Sequence, residues 1–254
     1  LDGGKRLRPF LAVAASDLFG VPRAYSLRVG AAIEMVHCYS LVHDDLPAMD
    51  DDDLRRGRPT VHRKFDEATA ILAGDALLTE AFTVLSAPDT HPDGTVRANL
   101  VAELARAAGA AGMVGGQMID LSPQRNGLDL AGIKELQALK TGALIEHACV
   151  AGAILGGASR AQHQALAGYA RDLGLAFQIA DDLLDVEGTT EQLGKPAGAD
   201  AGNDKATFVK LLGVAGARRQ AETLVAAAQQ RLDSFKERAD LLRQTAIFVV
   251  ERRS

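Results

Sequence analysis

The chain has no tryptophan, and aromatic residues make up only 4% of its 254 residues. Large aromatic rings therefore cannot fill most of the interior. Hydrophobic residues still account for 47% of the sequence, so a core of alanine, leucine, valine and isoleucine is available. Alanine and leucine are strong helix formers, which favours an all-α fold over a sheet protein.

Cysteine and net positive charge are also lacking. The two cysteines, Cys38 and Cys149, sit in apolar stretches, which predicts buried free thiols and a reducing, cytoplasmic location. The formal net charge of −5 argues against a nucleic-acid partner, because such partners usually select a basic surface. No glycine-rich nucleotide fingerprint occurs, so we expect any phosphate-bearing ligand to be something other than a nucleotide.

Long apolar runs and linkers are missing as well. We find no run of about 18 apolar residues and no signal peptide, so we expect no stable membrane insertion. The sequence begins at Leu1, without a methionine, on a dense motif, and we therefore allow for a missing amino-terminal piece. No long glycine/serine linker divides the chain, so we expect residues 1–254 to form a single domain.

Helical periodicity runs through most of the chain, and no segment shows the alternation of a strand. Short breaks containing glycine and proline separate the periodic stretches. The predicted helices cover residues 7–19, 24–46, 65–85, 94–113, 129–139, 141–156, 160–186, 205–213, 216–236 and 239–252.

A dense acidic cluster follows the second predicted helix. Six of the ten residues from Asp44 to Asp53 are aspartates. Their carboxylates would repel one another, and a hard divalent cation such as Mg²⁺ would relieve that repulsion. Asp44 and Asp50 are six residues apart, about 240° around a regular helix, so they share a face only if the helix is broken. Pro47 lacks the amide hydrogen that continues a helix, and we predict a bulge there that returns Asp50 to the side of Asp44.

A second acidic cluster closes the helix predicted at residues 160–186. It reads Gln178-Ile179-Ala180-Asp181-Asp182-Leu183-Leu184-Asp185. Asp181 and Asp185 are one helical turn apart and share a face. Because unpaired charges in so apolar a setting are costly, a solvated acidic loop explains this cluster poorly.

Cationic residues complement the two acidic clusters. Lys5 and Arg8 follow two glycines, Arg55 and Arg56 follow the first cluster, and further lysines stand beside glycine, threonine or aspartate at Lys140, Lys195 and Lys205. Arginine grips phosphate oxygens with two nitrogens and lysine adds a point charge. Carboxylates, a divalent cation and these side chains together predict a diphosphate ligand.

These motifs, taken in order, resemble the trans-isoprenyl diphosphate synthases, and the stretch from His37 to Thr60 is most similar to the bacterial farnesyl diphosphate synthases. The resemblance covers nearly the whole chain. It rests on Gly-Gly-Lys-Arg-Leu-Arg-Pro at 3–9, the acidic motif at 44–50 with Arg55-Arg56, Gly-Gly-Gln at 115–117 with Asp120, Lys140-Thr141, the acidic motif at 178–185, Gly194-Lys195 and Asp204-Lys205.

The resemblance implies a bundle of antiparallel helices around a central cavity, the isoprenoid synthase fold, with the two acidic clusters facing across its mouth. It also implies an enzyme that joins isopentenyl diphosphate to an allylic diphosphate, with about three Mg²⁺ ions bridging the allylic diphosphate to both clusters. The resemblance also implies a homodimer, which is the usual oligomeric state in the family.

The resemblance also implies roles for particular residues. Metal positions correspond to Asp44, Asp45, Asp50, Asp181, Asp182 and Asp185. Groups that hold the allylic diphosphate correspond to Arg55, Lys140, Lys195 and Lys205. The isopentenyl diphosphate pocket corresponds to Lys5, Arg8, His37 and Arg56. Thr141 and Gln178 correspond to polar groups that steady the allylic cation, and Gln117 and Asp120 belong to a motif of uncertain function.

Product length is expected to depend on the residues just before the first cluster. In the family the product grows into a tunnel behind this cluster, and Tyr39 and Ser40 stand five and four residues before Asp44. An aromatic residue at the position of Tyr39 goes with farnesyl diphosphate as the product. By helix geometry alone, Ser40 is better aligned with Asp44 than Tyr39 is. The alternative that Tyr39 is only a core residue, with no effect on product length, stays open.

The sequence leaves three other functions open. A sister synthase would make geranyl or geranylgeranyl diphosphate and differ in product length. A terpene cyclase usually keeps one aspartate-rich motif beside a different metal site, which the two aspartate motifs and the Lys5–Arg8 segment argue against. An inactive regulatory subunit usually loses part of one motif, whereas both are intact here.

Overall fold

The structure, a computed structural model, describes residues 3–187 and 206–252, with the backbone alone at positions 124 and 126. In these ranges the chain is built from helices, as the composition and periodicity predict. The helices are α1 (Leu7–Asp17), α2 (Arg23–Asp44), α3 (Val61–Lys64), α4 (Glu67–Ser86), α5 (Gly94–Ala108), α6 (Met113–Leu121), α7 (Leu130–Gln137), α8 (Ala143–Leu155), α9 (Arg160–Glu187), α10 (Phe208–Arg231) and α11 (Asp240–Glu251). Two 3₁₀ turns, Pro123–Gly127 and Asp233–Ala239, and one π turn, Ala138–Gly142, complete the helical structure.

Aspartate and threonine side chains begin several of these helices. The carboxylate of Asp66 accepts from the Thr69 amide at 2.7 Å, which caps α4. Asp129 accepts from the Gly132 amide at 2.8 Å at the start of α7. Such caps satisfy amides that have no partner inside the helix, so these starts follow from local sequence.

The helix predicted at 94–113 is wrong in its last five residues. α5 ends at Ala108, and a separate helix, α6, begins at Met113 and was not predicted. Glycines make the tight connection possible: a β-carbon at Gly109 would lie 2.7 Å from the Ala105 carbonyl oxygen, and one at Gly112 would lie 2.1 Å from that of Ala107. The periodicity continued through these glycines and hid the break.

The predicted break near Lys140 differs from the structure, whereas the predicted division between 205–213 and 216–236 is confirmed by a break at Gly213. α7 runs into α8 through the π turn, so the chain stays helical across Lys140. α10 consists of two helical segments that meet at Gly213, whose φ of 66° and ψ of 162° are not helical. Glycine tolerates positive φ, so it bends the helix at little steric cost.

A short hairpin contradicts the prediction that the chain has no strand. Strands β1 (Leu54–Arg55) and β2 (Arg58–Pro59) pair antiparallel. Arg56 and Gly57 at the turn both have positive φ, 54° and 74°, which is the conformation of a tight two-residue hairpin. Strands of two residues are too short for an alternating pattern, so periodicity could not reveal them.

The core lies where α8 crosses the bundle. α8 packs against α1, α5 and α9, and α2 packs along α4. Alanine dominates the contact with α1, and a β-carbon at Gly152 would lie 2.6 Å from the Ser16 amide nitrogen, so the two helices approach backbone to backbone. Cys38 and Cys149 are buried and free, as predicted.

Two described helical stretches have the length and hydropathy of a membrane span. In the stretch Leu130–Leu155, 61% of the most apolar 18-residue segment is buried in the fold. In α4, 22% of the corresponding segment is buried. One or two such helices are weak evidence for membrane insertion, because core helices meet the same criteria. Asp75 and Glu80 interrupt the apolar sequence of α4, so this helix contains no unbroken run of about 18 apolar residues.

The close approach of α1 and α8 yields a test of the packing. We expect Gly152→Ala to destabilise the protein by about 1–3 kcal/mol, since the added methyl group overlaps the backbone of α1. The free energy of unfolding in urea measures this. Gly94→Ala is the matched control, because its β-carbon would meet only the end of the Arg97 side chain, at 3.5 Å. Equal stability of both variants would contradict the packing described for α1 and α8.

Candidate active site

Two cavities adjoin in the bundle and share three wall residues. The larger, of about 1270 Å³, is lined by cationic residues of the amino-terminal segment and by α9 and α11. The smaller, of about 370 Å³, is lined by α2, α6 and the π turn. Arg8, His37 and Thr141 line both cavities. A larger space that contains several cationic side chains therefore continues into a smaller and more apolar one.

The first acidic cluster folds back on itself as predicted. α2 ends at Asp44, and the amide of Asp50 donates to the carbonyl oxygen of Asp44 at 2.9 Å. Burial raises the pKa of Asp44 to about 6, the charge of Lys140 opposes this rise, and the negative charge of Asp50 adds to it. The break after α2 thus produces a carboxylate pair whose ionisation a cation would favour.

Other aspartates of the first cluster are already paired. Asp45, whose side chain is 5% exposed, accepts hydrogen bonds from Arg55, and Arg55 also donates to Asp52 at 3.1 Å. Neither Asp45 nor Arg55 lines either cavity. Asp45 was predicted as a metal position together with Asp44 and Asp50, but its carboxylate is engaged by Arg55, whereas Asp44 lines the smaller cavity.

Asp181 is the aspartate of the second cluster that reaches a cavity. It lines the larger one, and its carboxylate pairs with Arg252, whose guanidinium is buried and stacked 3.9 Å from the ring centre of Phe177. Asp182 instead accepts from the backbone amide of Phe208 at 2.7 Å. Asp185 is buried and lines neither cavity.

The carboxylates fit a cation that keeps much of its coordination for other ligands. Among the described residues no group of three or more His, Cys, Asp or Glu side chains is assembled as a metal cage. Mg²⁺ usually binds through one or two carboxylates together with water and substrate phosphates. The oxygen donors Asp44 and Asp50, with their mutual repulsion, suit that mode of binding.

The four residues predicted for the isopentenyl diphosphate pocket all line the larger cavity: Lys5, Arg8, His37 and Arg56. Burial lowers the pKa of Arg8 to about 10, and its Nε is buried without a hydrogen-bond partner. A β-carbon at Gly4 would lie 2.4 Å from Nη1 of Arg56, so the absence of a side chain at Gly4 leaves room for the guanidinium. A buried guanidinium with an unused donor is suited to an anion.

His37 is held neutral by its surroundings. Burial lowers its pKa to about 3, and the positive charges of Arg8 and Arg56 contribute. The imidazole can therefore take part in hydrogen bonds without adding to the positive charge of the cavity.

Lys140 and Thr141 lie in the π turn, where a helix is locally widened. Such turns are frequent at functional sites. The backbone of α6 touches this turn, since a β-carbon at Gly116 would lie 2.2 Å from the Lys140 amide nitrogen. Lys140 lines the smaller cavity, Thr141 lines both, and Gln178 lines the larger.

Tyr39 and Ser40 both line the smaller cavity. The Tyr39 side chain is largely buried and stands edge-on to His43, with 5.7 Å between ring centres. The Ser40 hydroxyl donates to the carbonyl oxygen of His37 at 2.9 Å. Both residues thus have the location expected of a wall behind Asp44.

Several site residues were not predicted from the sequence. Gln117 donates to Asp44 at 2.8 Å, and Asp120 accepts from Lys140 at 2.5 Å. Both belong to a motif to which no function was given. α6 also supplies an apolar wall of the smaller cavity, which was not predicted. This wall consists of Met113, Val114, Met118 and Leu121. Arg252 beside Asp181 gave no signal in the sequence, while Lys195 and Lys205 lie outside the described residues.

Comparison with curated proteins gives relatives along nearly the whole chain. It is 48% identical over 231 residues to the farnesyl diphosphate synthase of Geobacillus stearothermophilus, covering 91% of this chain and 78% of the relative. It is 47% identical over 241 residues to the chloroplastic geranylgeranyl pyrophosphate synthase 9 of Arabidopsis thaliana, covering 92% of this chain and 66% of the relative.

Among solved structures, the apo form of an FPP/GFPP synthase from Zymomonas mobilis superposes with a TM-score of 0.88 at 49% identity. The alignment covers 98% of this chain and 84% of that one. The family model described as polyprenyl synthetase matches residues 1–244. The predicted resemblance and the all-α isoprenoid synthase fold are thereby confirmed, and the chain belongs to the polyprenyl synthetase family.

Proposed function

We propose that this prenyltransferase condenses isopentenyl diphosphate with dimethylallyl or geranyl diphosphate to give farnesyl diphosphate, releasing diphosphate. The observation that carries the proposal is the junction of the two cavities at Arg8, His37 and Thr141. One cavity is rich in cations and the other has an apolar wall. A substrate with a diphosphate head and a hydrocarbon tail needs both.

The allylic diphosphate lies, in this proposal, between Lys140 and the two acidic clusters. Lys140 supplies a cation at the wall of the smaller cavity, close enough to Asp44 to affect its pKa. Arg55 would add a second cation if it turned from Asp45 and Asp52. Lys195 and Lys205 remain proposals on the sequence motif alone.

Magnesium would be held by Asp44 and Asp50 on one side and by Asp181 on the other. When bound, it stabilises the negative charge that grows on the leaving diphosphate. About three ions are expected from the family resemblance. Roles for Asp45, Asp182 and Asp185 stay predictions, because the first two carboxylates have protein partners and the third is buried.

The chain's own residues orient the reacting groups. Lys5, Arg8 and Arg56 neutralise the diphosphate of isopentenyl diphosphate in the larger cavity, and neutral His37 offers a hydrogen bond. The Thr141 hydroxyl and the Gln178 amide present dipoles to the developing allylic cation. The double bond of isopentenyl diphosphate attacks that cation, and the departing diphosphate takes the proton that is lost. No side-chain nucleophile takes part.

Product length is set, in this proposal, by Tyr39. Its ring lines the smaller cavity on the same helix as Asp44, so a growing chain anchored near Asp44 meets it. Identity does not decide the product, since relatives named for farnesyl and geranylgeranyl products are 48% and 47% identical. A geranyl or geranylgeranyl diphosphate synthase therefore remains the second candidate.

A homodimer and a cytoplasmic location complete the proposal. α4 exposes Ile71 and Leu72, with 44% and 66% of their surface accessible. We take these two neighbouring exposed apolar side chains as the proposed interface, because exposed apolar patches often mark protein–protein contacts. The location stays a prediction from cysteine usage.

The first test is product analysis with labelled isopentenyl diphosphate and each allylic primer. We expect a product of farnesyl length when Mg²⁺ is present and no turnover in excess chelator, because the leaving group then lacks its counter-charge. A longer or shorter main product would support the sister synthases, and a cyclised hydrocarbon would support a terpene cyclase. No turnover with any primer would support an inactive subunit, and chelator-resistant turnover would exclude the metal assignment.

Tyr39→Ala tests the wall. We expect a shift of the main product to longer chains, because removal of the ring opens the smaller cavity behind Asp44. Loss of a buried aromatic ring also costs stability, about 3–5 kcal/mol, so folding is checked by circular dichroism. Tyr39→Phe keeps the ring and is expected to keep the wild-type product. An unchanged product from a folded Tyr39→Ala protein would remove Tyr39 as the stop.

Leu72→Glu tests the dimer interface. We expect the wild type to have the mass of two chains in light scattering and the variant to shift towards one chain, because a buried unpaired carboxylate disfavours association. Leu211→Glu on α10, where Leu211 is 43% exposed, is the matched control and is expected to leave the mass unchanged. A monomeric wild type would rule out the homodimer, and a dimeric Leu72→Glu protein would move the interface away from α4.

A further inference from the structure

Arg125 is a buried cation outside both cavities. It lies in the 3₁₀ turn Pro123–Gly127, and only 9% of its side chain is exposed. A guanidinium in such a place is costly unless its charge and its N–H groups are satisfied. Neither the acidic clusters nor the predicted diphosphate sites include it.

One partner of Arg125 is the carboxylate of Asp120. Nε of Arg125 donates to Oδ1 of Asp120, and Nζ of Lys140 approaches Oδ2 of the same carboxylate at 2.5 Å. Asp120 is 6% exposed, so all three charges interact with little screening. Burial alone would raise the pKa of Asp120, but the charge of Lys140 and the hydrogen bonds from Lys140 and Arg125 outweigh it and hold this pKa below its usual value.

The charge balance of this cluster decides what Lys140 can do. Asp120 and Lys140 alone would form a neutral pair, and a neutral pair attracts a diphosphate weakly. With Arg125 the cluster carries one net positive charge. Lys140 is the member that lines the smaller cavity, where its charge also acts on the carboxylate of Asp44.

The second partner of Arg125 is a backbone carbonyl. Nη1 donates to the oxygen of Ala206 at 2.9 Å, across 81 positions of the sequence. Two residues later, the amide of Phe208 donates to Asp182 of the second acidic cluster at 2.7 Å. Arg125 and Asp182 thus hold the start of α10 from two sides, one from the segment after α6 and one from α9.

We propose that Arg125 is a positioning residue that, through Asp120, keeps Lys140 available to an allylic diphosphate and, through Ala206, fixes the start of α10 to the same cluster. The inference rests on the proposed function, because it gives Lys140 a diphosphate to bind. A merely structural buried ion pair would predict lower stability in variants, with no effect specific to one substrate.

The experiment compares Arg125→Gln and Arg125→Lys with the wild type in full-length protein. For Arg125→Gln we expect KM for the allylic diphosphate to rise about tenfold, with KM for isopentenyl diphosphate within about twofold, because one charge is lost near Lys140 only. Calorimetric titration with inorganic diphosphate and Mg²⁺ should show a similar loss of affinity. Hydrogen exchange of the Phe208 amide in metal-free protein should become faster.

Arg125→Lys separates the two contacts. Lysine restores the charge but lacks the planar fork that reaches two acceptors. We therefore expect diphosphate affinity within about threefold of the wild type, while the Phe208 amide still exchanges faster. Urea denaturation shows that each variant is folded before it is assayed.

Several outcomes would overturn the inference. They are an unchanged KM for the allylic diphosphate in folded Arg125→Gln, an equal rise of KM for both substrates, or a loss of diphosphate affinity in Arg125→Lys as large as in Arg125→Gln. If Arg125→Gln does not fold, the Arg125→Lys variant alone decides. A loss of diphosphate affinity of more than about tenfold in Arg125→Lys then overturns the inference. Absence of prenyl transfer in the wild type would refute the proposed function instead, and the amide exchange and diphosphate titration would still test the contacts of Arg125.

Discussion

Six aspartates within ten residues can coexist in a folded protein only if most of their charges are compensated. Arginine does this in the first cluster. Arg55 binds Asp45 and Asp52, and Arg63 pairs with Asp53 and lies 3.9 Å from Asp51. Two aspartates, Asp44 and Asp50, are left without an arginine in the described contacts.

The same separation of roles holds in the second cluster. Asp182 is used to hold the start of α10, and Asp181 faces the larger cavity in an ion pair with Arg252. Each cluster thus divides its carboxylates between building the fold and lining or bordering the cavities. Burial is the main cause of the raised pKa of Asp44, and the nearby charge of Asp50 adds to it.

Sequence reasoning succeeded where the cause is local. The all-α fold follows from composition and period, and the return of Asp50 to Asp44 follows from a proline that interrupts a helix. Local features without a periodic pattern, such as the break between α5 and α6, were missed, and so were contacts between residues distant in sequence. The contacts of Gln117 with Asp44, Arg252 with Asp181 and Arg125 with Ala206 span 73, 71 and 81 positions, and no helical period carries such information.

α6 shows why those distant contacts matter for function. Gln117 and Asp120, three residues apart on one face, bind Asp44 and Lys140, while Val114, Met118 and Leu121 form an apolar wall of the smaller cavity. Gly116 between them lets the backbone touch the π turn.

A short helix moves as a rigid body, since its backbone hydrogen bonds fix its shape. The apolar wall of the smaller cavity and the hydrogen bonds to Asp44 and Lys140 therefore belong to the same short helix. A change in the apolar residues of α6 that displaces the helix must also alter the positions of Gln117 and Asp120. If Asp44 and Lys140 act on the diphosphate as proposed, product length and diphosphate binding would be linked through α6, a helix that periodicity alone did not reveal.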